Sequence, residues 1–271
     1  MPGTLFVVAT PIGNLEDITL RALRVLREVD LIAAEDTRRT ANLLARHGIT
    51  TSMTSLHEHN ETRKSPTIVT RLHRGESIAL VSDAGTPVIS DPGAALIRQA
   101  VAGQIRVEPI PGPSAILTAL TASGLSIDQF LFAGFPPVRA NDRKKWFERL
   151  RRCGETTVFF EAPHRIVSTL EQLRTELGEV YVVLGRELTK SHEELVRGPI
   201  SAVLNGDLKP RGEFTVIVDI GHITDVERFT PSAELSSRRQ MLSMLAAEHG
   251  LTANELYEAV ETAKKSVKRP T

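Results

Sequence analysis

The stretch Leu5-Phe6-Val7-Val8-Ala9-Thr10-Pro11-Ile12-Gly13-Asn14 sets the reading of this chain. A short β-prone apolar run is broken at once by Pro11 and Gly13, which make a tight turn. Behind the turn, Leu20, Leu23 and Leu26 recur at helical spacing between arginines over Thr19 to Val29, so a strand hands over to an amphipathic helix. The alternation recurs downstream. Leu31-Ile32-Ala33-Ala34, Ile78-Ala79-Leu80-Val81 and Ile105 to Ile110 are expected strands, with Ala94 to Ala102 a helix between the last two. Strands alternating with helices predict crossover units and a largely parallel sheet.

Pro109-Ile110-Pro111-Gly112-Pro113 admits neither helix nor central strand, so a domain boundary is expected there. Ser114 follows as the N-cap of a helix through Thr121, because its hydroxyl can accept from amides of the first turn. A second set of elements begins at Phe130-Leu131-Phe132-Ala133. It continues with a helix from Asp142 to Arg152, a strand Thr157 to Phe160, a helix Ile166 to Glu176, and strands Val180 to Leu184 and Phe214 to Ile220. From residue 226 strand signals vanish and two helical stretches remain, Ser232 to Glu248 and Thr252 to Ala263, the latter opened by a Thr252/Glu255 capping box. The expected division is an α/β domain over 1–112, a second over 113–225, and a helix-turn-helix-like extension over 226–271.

Composition narrows the function classes. The 271 residues are 41% hydrophobic, enough to bury substantial cores, and include a single cysteine, Cys153, so no intramolecular disulfide can form. No leader-like start or membrane-length apolar run is visible, and a cytoplasmic protein is expected. Lys plus Arg and Asp plus Glu are 33 each, so bulk charge gives no support to a nucleic-acid partner. Local basic groups remain: Arg38-Arg39, the run from Arg143 to Arg152, and the tail from Lys264 to Arg269. His57-Glu58-His59 lacks the H-E-x-x-H spacing that sets two histidines on one helical face, and no metal is expected.

Ligands of open α/β sheets bind beyond the carboxyl ends of the strands. Four turns in such places carry the candidate chemistry: Thr10 to Asp17, Ser82-Asp83-Ala84-Gly85-Thr86-Pro87 running on to Ser90-Asp91-Pro92-Gly93, Glu161-Ala162-Pro163-His164-Arg165, and Pro111 to Ala115. Neither G-x-G-x-x-G nor a P-loop occurs, which counts against dinucleotides and nucleoside triphosphates. A nucleotide-like ligand gripped by backbone groups and a few side chains is the remaining expectation, with Asp83 free to accept from an ammonium, amide or hydroxyl.

These motifs, with Glu35-Asp36-Thr37-Arg38, His57-Glu58, Asn60-Glu61 and Arg186-Glu187-Leu188-Thr189-Lys190, resemble the tetrapyrrole-methylase superfamily, in its branch that methylates small-subunit ribosomal RNA. The likeness runs in order over roughly residues 4 to 220, and Arg-Glu-Leu-Thr-Lys and Glu-Ala-Pro-His-Arg are its most discriminating parts. It implies two α/β domains with S-adenosylmethionine bent into the cleft between them, a homodimer, and the ribose 2′-hydroxyl of a cytidine in small-subunit ribosomal RNA as acceptor. Carried over, the cofactor contacts fall at Pro11, Asp83, Ala84, Thr86, Ser114, Ala115, Ala162, Pro163 and Thr215. One departure stands out: a valine, Val88, lies where the family run calls for glycine, which puts the local turn geometry in question.

Methyl transfer to a hydroxyl needs alignment first, then help in removing the proton. The polar candidates in the matching motifs are Lys190, Glu187, Glu161, Asp36, Glu58 and His164. Lys190, Glu187 and Glu161 are taken as the catalytic set, and Arg38 and Arg165 as hands for RNA phosphate. A small-molecule methylase and a non-catalytic ribosome-assembly factor are the competing readings, since fold does not dictate function.

Overall fold

The first five strands form one wholly parallel sheet in the computed structural model, which describes residues 1–220 and Thr252. They are β1 (Thr4–Val8), β2 (Leu31–Ala34), β3 (Met53–Ser55), β4 (Ile78–Val81) and β5 (Arg106–Ile110), in the order β3-β2-β4-β1-β5. Their crossovers are α1 (Leu20–Glu28), α2 (Thr37–Arg46), α3 (Glu61–His73) and α4 (Ala94–Ala102). Period-two alternation distributes the side chains. Val8, Ile32, Ala34, Ala79 and Val81 pack against Ala22, Val25 and Leu26 of α1 and Leu43 and Leu44 of α2. Leu5, Leu31, Ala33, Ile78 and Leu80 pack on the other face, against Ile68 and Leu72 of α3 and Leu96 and Ala100 of α4. Burial on both faces explains why β2 and β4 read as unbroken apolar runs.

The second sheet departs from the expectation of largely parallel pairing. Its strands are β6 (Phe130–Phe132), β7 (Thr156–Glu161), β8 (Tyr181–Arg186), β9 (Glu194–Pro199) and β10 (Phe214–Asp219), in the order β6-β7-β10-β8-β9. Only β6 and β7 pair in parallel; β10 runs antiparallel between β7 and β8, and β8 and β9 form an antiparallel pair. The reason is connection length, because the seven residues from Glu187 to Glu193 leave no room for a crossover helix and return the chain as a hairpin.

Each face of this sheet has its own cover. Phe159, Val182, Leu184, Phe214, Val216 and Val218 pack on Trp146, Phe147 and Leu150 of α6 (Ala140–Cys153), on α7 (Ile166–Leu177), and on Ile200 and Val203 of α8 (Ile200–Asn205). Val158, Val183 and Ile217 point the other way, toward Ala119 and Leu120 of α5 (Ala115–Thr121) and toward Ile12 and Ala84 of the first lobe. The lobes therefore share a core, and residues Met1–Gly221 form a single compact unit. Ser114 caps α5 as expected, its hydroxyl accepting from the Leu117 amide at 3.4 Å. The two C-terminal helices expected from residue 232 onward lie outside the described residues, apart from Thr252.

Candidate active site

The first sheet has a switch point between β1 and β4. The helix after β1 packs on one face and the helix after β4 on the other, so the chain leaves these two neighbouring strand ends toward opposite faces at the candidate site. A short bridge holds its floor: the Thr10 amide donates to the Gly85 carbonyl and the Gly85 amide to the Thr10 carbonyl, both at 2.9 Å. Gly85 has φ +77°, a conformation that favours glycine. The Thr10 hydroxyl donates to the Ser82 carbonyl at 3.1 Å, and the Thr86 hydroxyl to the Pro113 carbonyl at 3.4 Å. Three of the quoted turns are thus tied together, bringing Pro11, Asp83, Ala84, Thr86, Ser114 and Ala115 to one place.

Carboxylates crowd beside this floor. The Asp36 amide donates to Asp83 Oδ1 at 2.9 Å, the Asp83 amide to Glu35 Oε2 at 3.2 Å, and Arg39 reaches Asp83 Oδ2 at 3.4 Å. Burial and the neighbouring Asp83 charge push Glu35 up against a lowering bond from the Asp83 amide, while burial and the Glu35 charge push Asp91 up to about 6. Asp36 moves the opposite way, because hydrogen bonds from the Arg38 side chain and amide hold its carboxyl well below the usual range. Arg38 itself stays out in solvent, with 89% of its side chain exposed.

In the second lobe Thr215 is buried on the inner face, two residues before Ile217 and paired with Phe160 of β7. Ala162 and Pro163 follow β7 directly. Ala162 has both main-chain groups engaged, its amide on Glu161 Oε1 at 2.8 Å and its carbonyl accepting from Arg165 and Ile166 as α7 begins. Glu161 points away from the inner face. Its side chain is wholly buried, accepting from Thr169 Oγ1 at 2.6 Å and from Arg165 Nη2 at 3.1 Å, with Arg165 Nε at 3.0 Å. Arg165 also donates to the Pro136 carbonyl at 2.5 Å, so its guanidinium is spent inside the fold. His164 and Glu58 are exposed.

Lys190 rides on the hairpin between β8 and β9, where Glu187 (φ +50°) and Thr189 (φ +66°) occupy left-handed backbone, an uncommon state for residues with a Cβ. Its ammonium meets Glu187 Oε1 at 2.8 Å and Glu213 Oε2 at 3.0 Å. Partial burial opposes its charge, yet the hydrogen bonds it donates to the two carboxylates prevail and hold Lys190 above its ordinary value. Glu187, bonded to Lys190 and to the Glu213 amide, is held below its own. Both carboxylates therefore favour the charged form of Lys190. Sequence reasoning missed what this hairpin touches. Gly13 abuts it so closely that a Cβ would lie 2.5 Å from Lys190 Cγ and 2.9 Å from the Leu188 carbonyl, and the Asn14 amide donates to Thr189 Oγ1 at 3.0 Å. Beside this contact lies an open cleft of about 1100 Å³, lined by Gly13 to Glu16, Arg46, His47 and Thr189 to Ser191.

The sequence profile of the Tetrapyrrole (Corrin/Porphyrin) Methylases matches residues 4–204. The chain belongs to that family. Among relatives of the methylase, a protein of Escherichia coli O157:H7 named ribosomal RNA small subunit methyltransferase I is 44% identical, with 94% of each chain covered. One of the same name from Pseudomonas aeruginosa is 48% identical over 80% of this chain and 78% of its own. The fold is similar to the crystal structure of diphthine synthase, with a TM-score of 0.65 at 16% identity, covering 80% of this chain and 90% of that one. Among the described residues of the methylase no cluster of His, Cys, Asp and Glu could hold a metal ion, and no helix is long and apolar enough to cross a membrane.

Proposed function

We propose that this methylase is an S-adenosylmethionine-dependent methyltransferase of small-subunit ribosomal RNA, with the ribose 2′-hydroxyl of a cytidine as its acceptor. The observation that carries the reading is 44% identity, over 94% of both chains, to a protein named ribosomal RNA small subunit methyltransferase I. The site chemistry fits the cofactor, which bears a sulfonium and an ammonium against one carboxylate. Glu35, Asp36, Asp83 and Asp91 give the strand ends an acidic character suited to such a net-positive ligand.

When bound, S-adenosylmethionine supplies an electrophilic methyl group. We assign Asp83 to accept hydrogen bonds from it, Pro11, Ala84, Thr86, Ser114 and Ala115 to line its first-lobe side, and Ala162, Pro163 and Thr215 the second. Lys190, kept cationic by Glu187 and Glu213, favours oxyanion character on the acceptor hydroxyl. Glu187 positions Lys190. Glu161 and Arg165, satisfied by each other, anchor the start of α7 and are set aside from catalysis and RNA contact. Arg38, paired with Asp36 through Nε and Nη2 but with its side chain 89% exposed, is assigned to RNA phosphate. The reading keeps lobes of 1–112 and 113–225, a helical extension over 226–271, and a homodimer.

The test is incubation with labelled S-adenosylmethionine and unmodified small subunits, followed by mapping of ribose methylation. A cytidine 2′-O-methyl is expected. Label passing to porphyrinoids and not to subunits would transfer the case to a small-molecule methylase, and cofactor binding without transfer to either would favour an assembly factor.

A further inference from the structure

The cleft beside Lys190 has a second cationic wall that no motif announced. Arg46 closes α2, and its guanidinium makes no hydrogen bond or ion pair among the described residues. Exposed arginines are common on helices, but this one borders the same cleft as Gly13 to Glu16 and Thr189 to Ser191. The next residue, His47, lines it too, and its Nε2 is buried without a hydrogen-bond partner among the described residues. Behind them Arg27 donates to the His47 carbonyl at 3.1 Å, adding a third basic side chain to this side. Across the opening Lys190 is tethered, so its charge is fixed in place. One carboxylate, Glu16, also borders the cleft.

We infer that this cleft takes the phosphodiester backbone of the RNA strand next to the acceptor nucleotide, with the free guanidinium of Arg46 gripping a phosphate opposite Lys190. Three features carry it. The cleft is lined by Gly13 to Glu16, which continue the Pro11 loop given to the cofactor, so a strand lying in it runs beside that loop. An arginine with no partner among the described residues has its donor fork to offer a phosphate. The volume, about 1100 Å³, is large enough for more than one backbone unit. The inference rests on the reading of the protein as an RNA methyltransferase and adds where and by which residue the RNA is held.

Steady-state methylation of small subunits at saturating S-adenosylmethionine, over a range of subunit and salt concentrations, tests it. Arg46→Ala is expected to raise KM for the subunit about tenfold with little loss of kcat, as for one charge-assisted contact. It should also flatten the dependence of log(kcat/KM) on log salt by about 0.7, the share of one single-strand phosphate. Arg46→Lys should recover most of that salt dependence, because a lysine still neutralises the phosphate. Glu16→Gln should lower KM by about twofold, since a carboxylate on the rim repels the backbone. An Arg46→Ala enzyme with the wild-type KM and salt slope overturns the inference and leaves the function intact. A wild-type enzyme that transfers no methyl to subunits overturns both.

Discussion

The two sheets arrange their charged groups by opposite means. In the first, every strand is parallel, so every carboxyl end emerges on one edge and the loops that follow are forced together. Glu35, Asp83 and Asp91 then lie close enough that burial and mutual repulsion raise two of them. In the second sheet an antiparallel hairpin delivers a single cation, Lys190, between two carboxylates, and the buried Glu161 is matched to Arg165. The first lobe keeps Glu35, Asp83 and Asp91 crowded with a single guanidinium, that of Arg39, reaching Asp83. The second keeps its charges paired and uses them as struts. Parallel topology crowds functional groups, whereas a hairpin can aim one.

The largest effect expected from this contrast is on folding of the second lobe. Glu161→Ala strands the Arg165 guanidinium and should destabilise the protein by about 3–5 kcal/mol in denaturant unfolding, with methyl transfer per folded molecule retained. Full stability with lost transfer would return Glu161 to catalysis. Next, Lys190→Ala should reduce single-turnover methylation about 100-fold at saturating cofactor and RNA, as for loss of one preorganised charge donor. An unchanged rate removes Lys190 from the mechanism.

The Lys190 tether also sets a pH window. Glu187 is lowered on folding, so its contribution is complete above its ordinary 4.5 and fades as pH falls through the lower folded value. Lys190 is raised, so its contribution is complete below its ordinary 10.5 and fades as pH rises through the higher folded value. The hairpin is thus held across the whole neutral range.

The first lobe should respond with the opposite sign. Asp91 titrates at about 6 in the fold against an ordinary 3.8, so its ionisation costs stability as pH rises through that interval. Asp91→Asn should therefore stabilise the ligand-free protein by roughly 1–2 kcal/mol at pH 7.5, after allowance for solvent screening, and by nothing below pH 3.8. A destabilised variant at pH 7.5 would contradict the like-charge account of this lobe.

The smallest effect concerns Val88, which holds φ +75° at the position where the resemblance calls for glycine. Relief of roughly 1–2 kcal/mol of left-handed strain should offset the packing and chain entropy lost in Val88→Gly, leaving stability within about 1 kcal/mol of wild type. The same change at Val216, fully buried in the second sheet, should cost about 3 kcal/mol or more. Equal losses at the two positions would mean that the left-handed turn is unstrained.

Residue patterns alone carried much of the frame. Leu31–Ala34, Ile78–Val81 and Ala94–Ala102 form the expected elements, because a long apolar run between breakers has few other ways to bury itself. Elements with weaker local signals went unread: β3 is three residues long, α3 carries Pro66 inside it, and β9 includes a proline and a glycine. The family likeness, resting on contiguous motifs, was legible for the same reason that the strand ends were: each is a local string. Pairing direction in the second sheet was not, since it depends on which strand β10 slots between. The facing of Glu161 depends on strand parity within a sheet, and the charge state of Lys190 on Glu213, 23 residues away. The contact of Gly13 with Lys190 joins residues far apart in the chain. Local propensity and turn chemistry determined where loops fall and what groups they carry. Only packing of one lobe on the other decided which of those groups meet, because a charge acts through distance in space and sequence does not measure that distance.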